Sequence, residues 1–185
     1  MKKFLVGMSF AVVMLTGTAV QAQWLEKVAL YVPNRVIDLL DSFTLNLGAG
    51  PTLRGELRAT HAVQIGGGFG YTAKLVKDIN RQYGAALQEG WSWYVPGISS
   101  ENIERRNQTR WVRNFYRETY GFPYPADEYY NYHEGACDYW EFGGTLGALL
   151  IEADVSVHPI EMVDALLGFI LIDIKGDDLT FESFQ

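Results

Sequence analysis

The sequence has one cysteine, a shortage of basic residues and no long apolar run after its first 22 residues. The single cysteine, Cys137, excludes an intrachain disulfide, a cysteine-rich zinc site and a CxxC redox pair, and no disulfide-linked partner is expected. The chain carries 15 basic against 22 acidic residues, a formal charge of −7, so its surface repels phosphate backbones and no nucleic-acid partner is expected. The motifs G-x-S-x-G and H-E-x-x-H and the EF-hand loop are absent, so no motif predicts a reaction, a metal or a cofactor.

The first 22 residues have the features of a secretory signal. Two lysines follow the initiating Met, an apolar run comes next, and small residues end at Ala22. The apolar run is shorter than the roughly 20 residues that span a bilayer, so cleavage between Ala22 and Gln23 is favoured over an uncleaved anchor. We therefore expect a signal peptide at 1–22 and a single β-rich domain at 23–185, exported to the periplasm or associated with the outer membrane.

Residues 43–75 alternate between apolar and polar or small side chains. Alternation over this length predicts strands with one apolar and one polar face. Turns are expected at residues 48–51 and 60–62, which gives three or four antiparallel strands, and a second β-region is expected at 142–157. We expect the apolar odd positions to face a buried layer.

Two segments, 33–45 and 159–171, share five residue types at equivalent positions. Each reads as a helix that begins at a proline and leads directly into a strand. The similarity is typical either of a pseudo-symmetric repeat or of two similar helix–strand units. The predicted apolar stripes are Val36, Ile37, Leu39 and Leu40 in the first segment and Met162, Val163, Leu166 and Leu167 in the second.

The middle of the chain, at about 88–141, reads as an aromatic and helical insertion between the two β-regions. Ser99 and Ser100 are suitable helix caps, and Gly121 is a suitable helix end. On such a helix four arginines share one face, and they could contact anionic headgroups, bind acidic glycans or pair with the acidic tract 127–141; we expect the internal pairing. The candidate ligand or interaction surface is Arg106, Arg110, Arg113, Arg117, Trp91 and Trp93.

The glycines at 66–68 and 70 do not form a phosphate-binding loop. They continue an alternating strand, and no Gly-Lys-Ser/Thr ending follows. Gly66, Gly68 and Gly70 are expected to clear space on one sheet face for an aromatic side chain or a neighbouring backbone.

His133, Glu134, Cys137 and Asp138 form the one cluster that resembles a site. On a helix His133 and Cys137 would share a face and could bind a metal or act as base and nucleophile. Two ligands are too few for a metal, so an acidic surface turn with a semi-buried thiol is expected.

The segment Asn34-Arg35-Val36-Ile37-Asp38-Leu39-Leu40-Asp41, together with Asp164-Ala165-Leu166-Leu167-Gly168-Phe169 and Gly176-Asp177-Asp178, resembles a group of uncharacterised bacterial exported proteins. The resemblance covers the first fifty or so residues after the signal and about the last thirty. It implies an envelope location and no activity.

These observations predict a β-rich α+β fold, with an antiparallel, meander-like sheet, two short amphipathic helices and a helical, aromatic insertion. The expected function is a non-catalytic cell-envelope protein, structural or binding an apolar ligand or a glycan, whose partner is the outer membrane or an envelope component. One alternative is a small outer-membrane β-barrel, because alternation, glycines and aromatics suit it. The other is a periplasmic enzyme that uses His133 and Cys137, or an acid pair such as Asp138 and Glu141.

Overall fold

The computed structural model describes residues 28–130, 135–170, 176 and 179–180; the predicted signal peptide and its cleavage site lie outside these residues. The strands are β1 (Phe43–Thr60), β2 (Val63–Asp78), β3 (Gln82–Val95), β4 (Ile98–Asn107), β5 (Phe115–Gly121) and β6 (Phe142–Val157). They form one antiparallel sheet in the order β5-β4-β3-β2-β1-β6. Helix α1 covers residues 28–41, α2 covers Pro159–Gly168, and a 3-10 helix covers Glu128–Tyr130. The predicted fold class is confirmed.

The alternating pattern predicted the regions that form strands correctly, but the predicted number of strands was wrong. β6 has the predicted bounds, and the turn at 60–62 separates β1 from β2. Residues 43–75 form parts of two long strands rather than three or four short ones, because β1 continues through 48–51. Helix α1 also differs from the prediction, since Pro33 lies inside it and not at its start.

The helix predicted between Ser99 and Gly121 is wrong, because these residues form β4, a turn and β5. Alternate positions of β4 are buried but charged, as at Glu101 and Arg105, so the strand has no hydrophobic alternation to reveal it. The four arginines therefore do not form a row. The insertion expected at 88–141 is also shorter, because 88–121 belong to the sheet and the aromatic segment is 122–141, of which 122–130 and 135–141 are described.

β1 bends strongly near its middle. An extended strand of this length would measure about 55 Å, yet the short stretch from Asp138 to Glu141 reaches both of its ends. Asp138 lies 3.4 Å from His158, whose N–H donates to Ser42 just before β1, and Glu141 lies 3.2 Å from His61 just after it. The sheet therefore folds over its own inner face.

The bend coincides with an irregularity in the β1–β6 ladder. The register between these strands shifts between Ala49 and Thr52, and Leu149 opposite has a φ of 60°. A Cβ at Gly143 would collide with the carbonyl oxygen of Val155, so the two halves of β6 lie against each other. The turn expected at 48–51 is thus a bend within one strand.

The glycines of β2 allow the close approach that was predicted. Gly66 has a φ of 117°, and a Cβ there would collide with the carbonyl oxygen of Gly55 on β1. At Gly68 a Cβ would meet the backbone of Leu53 and Arg54. The expectation that neighbouring backbone occupies this space is confirmed.

The two helices meet at the end of the sheet where β1 begins and β6 ends. Tyr31 on α1 donates to the carbonyl oxygen of Phe169 over 3.1 Å, and Arg35 pairs with Asp38 at 2.8 Å. A Cβ at Gly168 on α2 would overlap the guanidinium of Arg35. The segments that carry the resemblance are therefore in contact. Whether 33–45 and 159–171 form a true repeat stays a prediction, because 171–175 lie outside the described residues.

The sheet has its polar face inside and its apolar face outside, which contradicts the predicted buried layer. The inner face, which carries Asn46, Arg54 and Glu56, is buried. The outer face, which carries Leu45 and Leu57, is exposed, with Leu57 at 67%. The alternation fixes which side chains share a face but not which face is covered.

Candidate functional site

A network of ion pairs fills the inner face between β1, β2 and β6. Lys74 on β2 lies 2.5 Å from Glu152 on β6, and Arg54 on β1 lies 2.9 Å from Glu56. Burial lowers the pKa of Lys74 despite Glu152, and the attraction of Lys74 lowers the pKa of Glu152 against the opposing effect of burial. Each charge is paired, as buried charges must be.

The same network continues under β4 and β5. Arg105 on β4 lies 3.2 Å from Asp78 on β2, and Arg117 on β5 lies 2.6 Å from Glu101. The hydroxyl of Tyr94 donates to Glu101 over 2.6 Å, and burial raises the pKa of this phenol well above its usual value. Arg117 therefore pairs with Glu101 rather than with a described carboxylate of the acidic tract 127–141, which corrects the predicted pairing.

A small cavity of about 70 Å³ remains among these groups. Five basic side chains and five acidic ones line it, so their formal charges cancel. At roughly 30 Å³ a molecule, it has room for about two waters. The basic residues are Arg54, Arg58, Lys74, Arg105 and Arg117, and the acidic ones are Glu56, Asp78, Glu101, Glu141 and Asp154.

His61 brings Cys137 and Glu141 together at one end of the cavity. Its Nε2 lies 3.2 Å from Glu141 Oε1 and 3.7 Å from Cys137 Sγ. Burial would raise the pKa of Glu141, but Arg58 and His61 lower it to about 2. Burial lowers the pKa of His61 and raises that of the Cys137 thiol. Sequence reasoning missed this cluster because His61 lies far from Cys137 along the chain.

This cluster lacks the geometry of a catalytic relay. In such a relay the carboxylate contacts one ring nitrogen of the histidine and the nucleophile contacts the other. Here Glu141 and Cys137 both face Nε2, and the pKa shift disfavours the thiolate that attacks. His133 lies outside the described residues, so the alternative in which it pairs with Cys137 stays a prediction.

A second histidine, His158, is fully buried between the Asp138 carboxylate and the Thr44 hydroxyl. Its Nδ1 lies 3.4 Å from Asp138, and its Nε2 lies 2.8 Å from the hydroxyl oxygen of Thr44. Because Thr44 donates its proton to Asp78 over 2.8 Å, its oxygen accepts from His158. Nε2 therefore carries a proton, and the nearby Asp138 raises the pKa of the imidazole although burial opposes this. The hydroxyl proton of Thr44 is thus held by Asp78, and its oxygen accepts from His158.

The outer face is apolar on β6, β1 and β2 and mixed on β3, β4 and β5. On β6, β1 and β2 its side chains are aliphatic, aromatic or glycine, apart from Lys77 at the end of β2, and β3 adds Trp91 and Trp93. On β4 and β5 the same face carries Asn102, Glu104, Arg106 and Glu118, together with the exposed tyrosines Tyr116 and Tyr120. The exposed apolar side chains include Leu45, Leu47, Leu53, Leu57, Ile65, Phe69, Leu75, Leu146, Leu150, Ile151 and Val155.

Both helices, like the sheet, bury polar side chains and expose apolar ones. α1 buries Asn34, Asp38 and Asp41, and α2 buries Glu161 and Asp164. The predicted apolar stripes do share one side of each helix, but that side is the outer one. The exposed large apolar residues on the two helices are Val28, Val32, Val36, Leu39, Leu40, Met162, Val163 and Leu166.

The residues of the predicted interaction surface lie apart. Arg106 is on the outer face of β4 and pairs with Glu89 at 2.8 Å, whereas Arg117 is buried inside. Arg110 and Arg113 are exposed in the turn between β4 and β5, with Arg110 over Trp111. Trp91 and Trp93 lie together on the outer face of β3, 41% and 53% exposed.

No family model, curated protein or solved structure matches the chain. Within the described ranges, no group of three or more His, Cys, Asp or Glu side chains is arranged to hold a metal ion. None of the described helices has the length and hydropathy of a membrane-crossing segment.

Proposed function

We propose that the protein is a non-catalytic component of the bacterial cell envelope, and that its apolar exterior is held against membrane lipid. The observation that carries the proposal is the inversion of polarity, in which charged side chains fill the inside while leucines, valines and aromatics cover the outside. The predicted secretory signal supports export to the cell envelope.

The exposed apolar surface is the physical reason for a lipid partner. Soluble monomers rarely expose contiguous apolar patches of more than a few hundred Å². Here the apolar side chains are contiguous over neighbouring strands, as in the paired positions Leu57–Ile65 and Leu53–Phe69. Removing a fully exposed Leu side chain from water stabilises a complex by roughly 1.5–3 kcal/mol, so many such residues together favour a hydrocarbon environment.

Apolar contact rather than charge would drive the association. The formal charge of −7 opposes approach to an anionic surface. The arginines that could have formed a headgroup-binding row on a helix lie apart in the structure. Arg117 is paired with Glu101 inside the sheet. We therefore expect binding that is insensitive to salt.

The absence of a catalytic role is supported by the state of the buried groups. The charges of the inner face are paired, the Cys137 thiol has a raised pKa, and the Thr44 hydroxyl already donates to Asp78. The charged groups and the Thr44 hydroxyl are therefore engaged in structural contacts, and the raised pKa disfavours the reactive thiolate of Cys137.

A vesicle flotation experiment tests the proposal. Leu57→Asp places a charge on the outer face of β1, and Tyr120→Asp places one at an equally exposed site on β5, the two residues being 67% and 68% exposed. The wild type and Tyr120→Asp should float with phosphatidylethanolamine–phosphatidylglycerol vesicles, and Leu57→Asp should float several-fold less. Wild-type protein that stays at the bottom of the gradient would refute the proposal.

A second candidate function is the binding of a single apolar ligand. The outer face has a depression of about 670 Å³ over Gly55, lined by Leu57, Ile65, Leu146 and Val155. Its size suits a small ligand. Saturable binding of one fatty acid per chain, with no vesicle flotation, would favour this function over membrane contact.

A further inference from the structure

We infer that the protein lies with its strands along the membrane plane, with β6, β1 and β2 in hydrocarbon, β3 at the headgroups and β4 and β5 in water. This inference rests on the proposed membrane contact and adds the orientation of the sheet relative to the membrane.

One row of outward side chains crosses the whole sheet and changes from apolar to charged along the way. Leu53 on β1 pairs with Ala148 on β6 and with Phe69 on β2. Phe69 pairs with Trp91, Trp91 with Asn102, and Asn102 with Glu118. The row thus passes through aliphatic, aromatic, amide and carboxylate side chains in that order.

The order matches the profile of half a bilayer. Hydrocarbon excludes charged and amide groups, tryptophan and tyrosine concentrate at the headgroup level, and charged groups lie in water. The next row also has its tryptophan on β3, since Gly55 pairs with Gly67, Gly67 with Trp93, Trp93 with Ser100, and Ser100 with Tyr120. Trp91 and Trp93 on β3 therefore both lie at the level assigned to the headgroups.

The outward charges complement this placement. The outer face of β6 and β1 carries no charged side chain, and that of β2 carries only Lys77, at the strand end. Charges begin on β3 with Glu89, which pairs with Arg106 of β4. The uncharged strands β6, β1 and β2 therefore fit the lipid side of this arrangement, and the charged strands fit the water side.

The polarity does not change along the strands. The outer face of β1 is apolar from Phe43 to Ala59, over the full length of the strand. A strand that crossed the membrane would instead carry its polar residues at both ends and its apolar band in the middle. The gradient therefore runs across the strands.

Site-directed spin labelling measures this direction. Cys137 is the one cysteine, so Cys137→Ala provides a background for single-cysteine variants. One series places the label across the row, at Leu53, Phe69, Asn102 and Glu118. A second series places it along β1, at Leu45, Leu53 and Leu57. The measured quantity is the ratio of oxygen to nickel-chelate collision rates with the spin label in phosphatidylethanolamine–phosphatidylglycerol vesicles. Circular dichroism checks that each variant is folded. If the variant labelled at Phe69 does not fold, Tyr71 is labelled instead.

The ratio should be several-fold higher at Leu53 and Phe69 than at Asn102 and Glu118, and similar at the three positions of β1. A ratio that varies along β1 and is constant across the row would overturn the orientation and leave the membrane contact standing. Nickel access at every position would refute the proposed function itself. Nickel exclusion that persists without vesicles would assign the face to a second copy of the chain and contradict both.

Discussion

Arg58 on β1 lies 2.5 Å from Asp154 on β6, although the strand register places Asp154 opposite Asn46, well before Arg58 along β1. The contact exists because both strands bend and fold the sheet over its polar face. Burial opposes the charge on Asp154, but Arg58 and Lys74 lower its pKa well below the usual range. The folded sheet is thus held from the inside by charged pairs, which leaves the apolar face outside.

Loss of Arg58 should be far more costly than loss of an exposed arginine. Arg58→Met leaves Asp154 and Glu141 buried with a partner removed, and breaking a buried pair costs about 3–5 kcal/mol. Arg106→Met removes an exposed pair with Glu89, which contributes at most about 1 kcal/mol. Urea unfolding in detergent micelles measures both, and equal losses in the two variants would contradict the buried network.

Sequence reasoning predicted the strands that alternate and missed the side of the sheet that is covered. The period of two in β1, β2 and β6 was visible, and the fold class followed from it. β4 was missed because its buried positions, such as Glu101 and Arg105, are charged, while the spacing of the arginines imitated a helix. The contacts of His61 with Glu141 and of His158 with Asp138 join residues distant in sequence, so only the fold brings them together.

Glu141 should make the protein sensitive to acid. Its pKa is lowered from 4.5 to about 2, so its contribution to stability is present above pH 4.5 and is lost as the pH falls toward 2. The shift corresponds to about 3 kcal/mol. Wild type should exceed Glu141→Gln by about this amount at pH 7, and the difference should vanish near pH 2. Glu104→Gln, on the exposed face, serves as the control, and a difference between wild type and Glu141→Gln that is independent of pH would contradict the assignment.

Gly168 should be required for the contact between the two helices. Gly168→Ala forces the Arg35 guanidinium to move, whereas Gly55→Ala adds a methyl group in open space on the outer face. We expect Gly168→Ala to cost up to about 1 kcal/mol, because the flexible end of Arg35 must move away from its pairing with Asp38, and Gly55→Ala to be nearly neutral. Adding Arg35→Ala to Gly168→Ala should recover part of the loss. Thermal unfolding checks this, and an additive double variant would show that the two residues are not coupled.

Substitutions at two neighbouring residues of β1, Asn46 and Leu47, test through the free energy of unfolding whether the polar face is the buried one. Asn46 is buried, donates to Asp154 over 3.0 Å and accepts from the backbone N–H of Lys77, whereas Leu47 next to it is exposed. Asn46→Leu leaves two buried polar groups unsatisfied, at about 1–3 kcal/mol each. Leu47→Asn should change the free energy of unfolding in detergent by less than about 1 kcal/mol. The opposite order of losses would place the core on the other face.

Photolabelling of the wild-type protein in vesicles tests lipid contact most directly. An apolar diazirine dissolves in the hydrocarbon and, on illumination, forms bonds with the side chains that face it. Mass spectrometry should find the labels on the outer positions of β6, β1 and β2, including Leu53, Leu57 and Leu146, and none on Asn102 or Glu118 of β4 and β5. Labels that are absent from Leu53 and Leu57, or equally frequent on β4 and β5, would contradict the account.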